Sequence, residues 1–378
     1  MKIALVYDVI YPYVKGGVEK RVWELGVRLA SRGHEVHLFG MKYWDGDDIQ
    51  KKEGVILHGV CPSYPLYSDG RRKIPDALIF SIRIFPALVR EKFDIIDCQQ
   101  FPYFSCITAR AAAAIRHTPL VITWHEVWGE YWYTYLGWKG CFGKLTERVV
   151  ALLTQNNVAV SETTAQNGKS LGIPVATIIQ NGIDLSRMDS IPPSPEDSDL
   201  IFVGRLIREK HADILVDAMA ILIRDHPDLR LLIVGDGPEW DVLRQQVRVQ
   251  GLKRTIRMAG FFNNHDDVLA AMKSSRVFVL PSTREGFGIA ALEALACGLP
   301  VVTVDHPENA ICDLVTEKTG FLSSLSPDSL AACIKKALVS GIIIRPACIA
   351  ASKSFDWDAV AVRAEQYYMT VIKGYRDE

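Results

Sequence analysis

Apolar runs of strand length alternate with helix-length segments from one end of this chain to the other. In the first half the runs are "KIALVY" (2–7), "EVHLFG" (35–40), "VILHGV" (55–60), "FDIIDC" (93–98), "LVITWH" (120–125), "NVAVS" (157–161) and "ATIIQ" (176–180). Helical segments lie between several of them. "GVEKRVWELGVRLASRGH" places Val18, Val22, Leu25 and Leu29 on one stripe and closes at Gly33. Continuous apolar strands joined by helices require a parallel sheet covered on both faces. "SIPPSPEDSD" (190–199), with three prolines, three acids and almost nothing apolar, breaks the pattern and reads as a linker. The alternation then restarts with "LIFVG" (200–204), "RLLIVG" (230–235), "IRMAG" (256–260), "VFVLPS" (277–282) and "PVVTV" (300–304). The expectation is α/β: two doubly wound, Rossmann-like domains, residues 1–190 and 191–355. Ligands in such sheets bind at the carboxyl ends of the strands, so the active site is expected in a cleft between facing sheets. The last stretch, "DWDAVAVRAEQYYMTVIKGY" (356–375), is a helix after the second sheet is complete. Residues 356–378 are expected to pack back toward the N-terminal domain.

Composition agrees with two soluble domains: 378 residues, 49% apolar and 23% charged. A net charge of −1 gives no global field for recruiting nucleic acid. Eight cysteines without a C-x-x-C pair disfavour a zinc site and fit reduced thiols in a cytoplasm. "MKIALVYD" reads as a strand and not a signal peptide. The longest apolar stretch, "ALIFSIRIFPALV" (77–89), is too short to span a bilayer and contains Arg83 and Pro86. The segment around it, 71–92, combines Arg71, Arg72, Lys73, Arg83, Arg90 and Lys92 with Ile, Leu and Phe. It resembles an interfacial amphipathic helix, which would give peripheral contact with the inner membrane surface. The competing reading is a domain helix with its apolar face in the core.

Four stretches carry chemistry. In "STREGFGIAALEALACGLP" (282–300), a buried strand turns through Glu285, Gly286, Phe287 and Gly288 into a helix that ends near Cys297 and Gly298. Glycines at a helix start leave backbone N–H groups open to an anion such as a diphosphate. Glu293, two helical turns beyond Glu285, is placed to accept hydrogen bonds from a ribose diol. Taken alone, the two acids are equally a favourable first-turn charge and a solvated neighbour. In "IFVGRLIREKHADILVDAMAIL", Arg205 and Lys210 stand at a strand's carboxyl end, a natural diphosphate clamp. Gly16 and Gly17, after the first strand, let a ligand approach the backbone. They complete neither a dinucleotide fingerprint nor a Walker A loop. In "VITWHEVWGEYWYTYLGW" (121–138), His125 ends a strand at the same edge. Gly129 stands where H-E-x-x-H needs its second histidine, so a zincin site is excluded. The aromatics that follow, Trp128, Tyr131 and Trp132 first among them, suit a sugar or lipid-linked acceptor. They also suit a half-buried helix.

"GRLIREK", "VGDGPEW", "VFVLPSTREGFGIAALEALACGLPVV" and "IIQNGIDLSRM" resemble the family 4 retaining glycosyltransferases of the GT-B fold. The resemblance covers nearly the whole chain and is strongest over 200–322. It implies transfer of a hexose-type sugar from a nucleotide-diphosphate sugar to a glycan, lipid-linked or small-molecule acceptor, with retention at the anomeric carbon. By the same resemblance Arg205 and Lys210 bind the donor diphosphate, Glu293 the ribose and Glu285 the donor sugar. Gly16 and Gly17 approach the phosphates, and His125 reaches the donor sugar. Phe262 lies in the stretch 260–263, whose backbone is expected near the base, and Phe287 lies between the glycines of the phosphate turn. No metal or other cofactor is implied, because the cations and the helix dipole take that role. The Asp-x-Asp triplets at Asp45/Asp47, Asp197/Asp199 and Asp356/Asp358 are scattered. Where many members have a glycine-rich turn, this chain reads "DHPENAICDLV", and Glu308 or Asn309 is expected to replace those donor contacts. The alternatives are a GT-B nucleotide-sugar epimerase and a non-catalytic nucleotide-sugar-binding protein. The donor base (UDP, GDP or ADP), its sugar and the acceptor stay open.

Overall fold

A computed structural model describes residues 1–377 except 65, 66, 69, 70 and 73. The chain divides into two compact units, Met1–Gly182 with Trp357–Glu378, and Ile183–Asp356.

The first unit holds strands β1 (Lys2–Val6), β2 (Glu35–Lys42), β3 (Ile49–Lys52), β4 (Val55–Pro62), the short pair β5 (Tyr67–Ser68) and β6 (Arg71–Arg72), then β7 (Ile95–Gln99), β8 (Leu120–Trp124), β9 (Asn157–Ala159) and β10 (Val175–Ile178). Its main sheet runs β10-β9-β8-β7-β1-β2-β4-β3, with β3 alone antiparallel. The sequence pattern missed β3 because "IQKK" is polar and largely exposed, as suits an edge strand. Its helices are α1 (Gly17–Ser31), α2 (Ile74–Arg90), α3 (Tyr103–Arg116), α4 (Tyr131–Leu136), α5 (Gly140–Ala151) and α6 (Glu162–Ser170). β1 is buried on both faces because helices cover both sides of the sheet. Val22, Leu25 and Leu29 of α1 pack in one core with Ile3 and Leu5, while Phe80, Ile84 and Leu88 of α2 pack in another with Ala4 and Val6.

The second unit begins with α7 (Leu185–Ser190) and carries β11 (Leu200–Val203), α8 (Ala212–Leu222), β12 (Leu231–Val234), α9 (Trp240–Val249), β13 (Ile256–Gly260), α10 (His265–Lys273), β14 (Val277–Leu280), α11 (Ile289–Ala296), β15 (Val301–Val304), β16 (Gly320–Ser323) and α12 (Pro327–Ser352). Its sheet is wholly parallel, ordered β13-β12-β11-β14-β15-β16. The reversal of order at β11 and β14 is the position where doubly wound sheets bind ligands.

One expectation changes here. The proline-rich segment is no free linker. It is tied into the second unit by Ser194 N–H to the Ala270 carbonyl, Ser198 N–H to the Ser274 carbonyl, and the Lys273 ammonium on the Met188 and Ile191 carbonyls. The final helix, α13 (Trp357–Asp377), belongs to the first unit, where Trp357, Val360, Ala361, Ala364 and Tyr368 share a core with α1.

The 71–92 segment is chiefly a domain helix. Ala77, Phe80, Ile84 and Leu88 are buried, while Ile74, Leu78, Ile79 and Ile82 face outward. Lys73 lies outside the described residues.

Candidate active site

In the second unit the chemistry gathers at the carboxyl ends of β11, β12, β14 and β15. Arg205 follows β11, and its loop is fastened to the loop after β12: Leu206 N–H donates to the Asp236 carbonyl at 2.9 Å and Glu239 N–H to the Leu206 carbonyl at 3.0 Å. Only glycines allow that approach. A Cβ on Gly237 would lie 2.4 Å from the Leu206 carbonyl oxygen, and one on Gly235 1.9 Å from that of Gly204. "VGDGPEW" is therefore a support for the Arg205 loop.

The same loop is joined to the strand-to-helix turn of 282–288. Thr283 N–H donates to the Glu209 carbonyl at 2.9 Å, the Ser282 hydroxyl to the same carbonyl at 3.0 Å, and His211 Nε2 meets Thr283 Oγ1 at 3.1 Å. This brings Lys210 into an ion pair with the Glu285 carboxylate, both side chains largely buried. Backbone bonds hold Glu285 from the other side: its N–H donates to the Glu308 carbonyl at 2.9 Å, and its carbonyl accepts from Ala310 N–H at 3.0 Å. The turn closes at Gly288, the residue before α11, with φ +85°, the left-handed region that favours glycine. A Cβ there would also strike Ile311 at 2.4 Å. The partial positive charge of the α11 N-terminus thus opens beside Lys210 and Glu285.

Glu293 is not solvated. It is 4% exposed, and His265 Nε2 lies 2.8 Å from its Oε1. A carboxylate held there keeps acceptor capacity for hydroxyl donors. His265, the first residue of α10, is a partner of Glu293 that the sequence reading missed. Its signal was slight: one histidine after an Asn264 N-cap, 28 positions from its partner.

Two expected site residues of the second unit need correction. Asn309 is fully buried; its amide donates to Thr303 Oγ1 and the Val304 carbonyl, and its oxygen accepts from Ile311 N–H. With all these bonds made inside the fold, its side chain cannot replace donor contacts. Phe287 turns its ring inward, 5.9 Å from Phe355, and offers a ligand only backbone. Phe262 lines a hollow with Pro193, Arg257 and Asp266.

In the first unit His125 follows β8. Its backbone N–H donates to Gln100 Oε1 at 3.0 Å, and its ring Nε2 lies 2.8 Å from Gln99 Oε1. Burial, with the Arg21 charge adding to it, holds the imidazole well below the ordinary histidine range, so it is neutral near pH 7. Gly16 precedes α1 in extended conformation, and Gly17 opens that helix. The loop after β8 is anchored by buried Glu147, which accepts from the Trp128 and Gly129 N–H groups at 2.8 and 2.9 Å and from the Tyr103 hydroxyl at 2.9 Å. Trp128 stacks in an aromatic cluster, 4.5 Å from Trp132 and 5.4 Å from Tyr131. Trp132 is corrected from acceptor contact to core residue. It is 6% exposed, and Gly143 makes room for its indole, where a Cβ would lie 2.2 Å from the ring. Trp128 and Tyr131 keep partial exposure.

Residues 15–187 match the family model described as Glycosyltransferase Family 4, and residues 187–354 that described as Glycosyl transferases group 1. The chain is similar to glycogen synthase of Mycobacterium tuberculosis, 25% identical over 412 residues with 100% of this chain and 96% of the relative covered. It is also similar to phosphatidyl-myo-inositol mannosyltransferase of Mycobacterium tuberculosis, 26% identical over 392 residues, covering 96% of both chains. Among solved structures, sucrose-phosphate synthase from Thermosynechococcus elongatus superposes with a TM-score of 0.82 at 21% identity, covering 99% of both chains. Anabaena HepE in complex with UDP-glucose superposes with a TM-score of 0.74 at 20% identity, covering 98% of this chain and 100% of that one.

Proposed function

The chain belongs to the family 4 glycosyltransferases of the GT-B fold, and from that premise we propose that it is a retaining enzyme that moves a hexose-type sugar from a nucleotide-diphosphate sugar to a glycan, lipid-linked or small-molecule acceptor. The observation that carries this reading is the Lys210–Glu285 pair, set beside the α11 N-terminus on the sheet edge that also bears Arg205. The cations answer a diphosphate, and the acid answers a sugar that must lie next to it. Structures bound to UDP-glucose or to ADP among those similar to this chain support a nucleotide donor.

Arg205, Lys210 and the α11 dipole stabilise the negative charge that gathers on the leaving diphosphate. Glu293 takes the ribose hydroxyls, and Gly16, Gly17, Gly286 and Gly288 allow phosphate near backbone. Glu285 and His125 orient the sugar. The bond from the anomeric carbon to the diphosphate oxygen breaks as the acceptor hydroxyl forms a new bond on the same face. The acceptor's proton passes to the departing phosphate oxygen. The direct test is turnover of UDP-, GDP- and ADP-hexoses with and without glycan and lipid-linked acceptors. Sugar transfer that requires acceptor supports the reading. Donor isomerised or hydrolysed without acceptor, or bound without turnover, overturns it.

The first unit also supports peripheral contact with an anionic membrane. Among the described residues no helix is long and apolar enough to cross a membrane. On α5 and just beyond its two ends, however, Trp138, Phe142, Leu145, Val149 and Leu152 all face outward, Trp138 75% exposed and Leu152 71%. Their spacing of four and three residues makes one stripe. Lys139, Lys144 and Arg148 accompany it, while Glu147, the acid of that stretch, is buried. α2, on the same face of the sheet, adds Ile74, Leu78 and Ile82. A basic, aromatic-tipped apolar surface suits an anionic lipid interface.

A further inference from the structure

Beneath His125 lies a chain of buried polar groups that charge stabilisation at the diphosphate does not explain. Asp97, in the middle of β7, is 4% exposed. Its carboxylate accepts from the Tyr368 hydroxyl of α13, from Thr123 Oγ1 at 2.9 Å and from Gln99 Nε2 at 3.3 Å. Arg21 of α1, 2% exposed, acts on it electrostatically. Arg21 is itself fixed by the Gln180 carbonyl at 2.7 Å and Asn181 Oδ1 at 2.9 Å. Buried charges with this many partners contribute little net stability compared with an apolar isostere. A role beyond packing is worth seeking in what the network orients.

Gln99 connects it to His125. The amide is 3% exposed and has one accepting end and one donating end of nearly the same shape. The Asp97 carboxylate can only accept, so the Gln99 NH2 faces it. The amide oxygen therefore faces the other way, 2.8 Å from His125 Nε2. A neutral imidazole has one N–H, and an amide oxygen cannot donate. The proton consequently resides on Nε2, and Nδ1 carries a lone pair.

We propose that Gln99 is a positioning residue that, oriented by Asp97, locks His125 in its Nε2–H form and so presents Nδ1 as an acceptor to a hydroxyl of the bound sugar. The proposal rests on the assignment of His125 to the donor-sugar site. It carries a specificity of its own. A hydroxyl donates to Nδ1 and is welcomed there, whereas a carboxylate or phosphate oxygen has only lone pairs and is repelled. Neither Asp97 nor Gln99 needs to touch substrate.

The test is long-range 15N NMR of the histidine rings in the full chain, with the His125 signals assigned by their loss in His125→Phe. The parent should show a protonated Nε2 and an unprotonated Nδ1. Gln99→Leu, which removes the acceptor, should move His125 toward the Nδ1–H form. Asp97→Asn, which lets the Gln99 amide turn over, should populate that form as well. With donor saturating, Gln99→Leu should lower kcat about 3- to 10-fold, the scale of one misdirected neutral hydrogen bond, while free nucleotide affinity stays at the parent value. A parent His125 protonated on Nδ1, or a tautomer unchanged by both substitutions, overturns the proposal. If the tautomer follows Gln99 but no sugar is transferred from any donor, the positioning role stands and the glycosyltransfer reading fails instead.

Discussion

Lys210 and Glu285 form an ion pair whose side chains are 13% and 18% exposed. That lies between two regimes. Exposed pairs contribute up to about 1 kcal/mol, whereas removing one partner of a fully buried pair costs about 3–5 kcal/mol because a charge is left uncompensated. Lys210→Met should therefore destabilise the second unit by about 1–3 kcal/mol. Glu285→Gln should cost less, since Lys210 can swing toward solvent and the Arg284 carbonyl, 3.4 Å away, remains a partner. The double substitution should recover much of the loss, giving a coupling energy of about 1–2 kcal/mol. Binding should split the other way. In the unliganded protein Glu285 competes with any diphosphate for the Lys210 ammonium. Lys210→Met should weaken nucleoside diphosphate binding by about 10- to 100-fold, the scale of a lost charge-assisted contact. Glu285→Gln should bind the same nucleotide as tightly as the parent or more tightly, yet lose about 10²-fold in kcat. Urea unfolding of the four proteins and calorimetry with UDP, GDP and ADP provide the numbers. Zero coupling in the stability cycle, or a Glu285→Gln variant that loses nucleotide affinity as Lys210→Met does, would refute the reasoning.

Glu293→Gln should mainly raise the donor's dissociation constant, because a ribose contact is held equally in ground and transition states; calorimetry with nucleoside and nucleotide checks it, and unchanged affinity for both would remove the assignment. Phe142→Ser with Leu145→Ser should reduce co-sedimentation with anionic vesicles, and salt should weaken what remains; a parent protein indifferent to anionic lipid, or one that self-associates through α5 instead, ends the membrane reading. His58 is stacked on Phe39 and hydrogen-bonded to His37 at 2.7 Å; burial, then the His37 charge, depresses its pKa to about 4. Below about pH 6.5 the unfolded chain takes up this proton before the folded one does. The stability contributed is full above that pH and is lost as pH falls toward 4. Urea midpoints across this window should decline less steeply in His58→Gln, and identical slopes would contradict the burial argument.

The strands of both sheets were legible because a strand covered on two faces must be apolar throughout, and that is a local property of the chain. The edge strand β3, three of whose four residues are polar, escaped notice for the same reason. β16 escaped because "GFLS" is short and begins with glycine, whose need appears only in space: a Cβ on Gly320 would lie 1.9 Å from the Val301 carbonyl oxygen. That Arg205, Lys210, Glu285 and Glu293 stand after a strand or on the turn and helix that follow one could be read from their position in the sequence. Their partners could not. Lys210 meets Glu285 across 75 positions, Glu293 meets His265 across 28, and Asp97 meets Tyr368 across 271. Nor could the sequence tell that Trp132 is core while Trp128 keeps an exposed edge, or that Asn309 serves its own turn. Periodicity depends on neighbours three or four residues away, which the chain carries with it wherever it folds. Pairing depends on which loops the parallel sheets bring to one edge, and that order is set only when the crossover helices have packed.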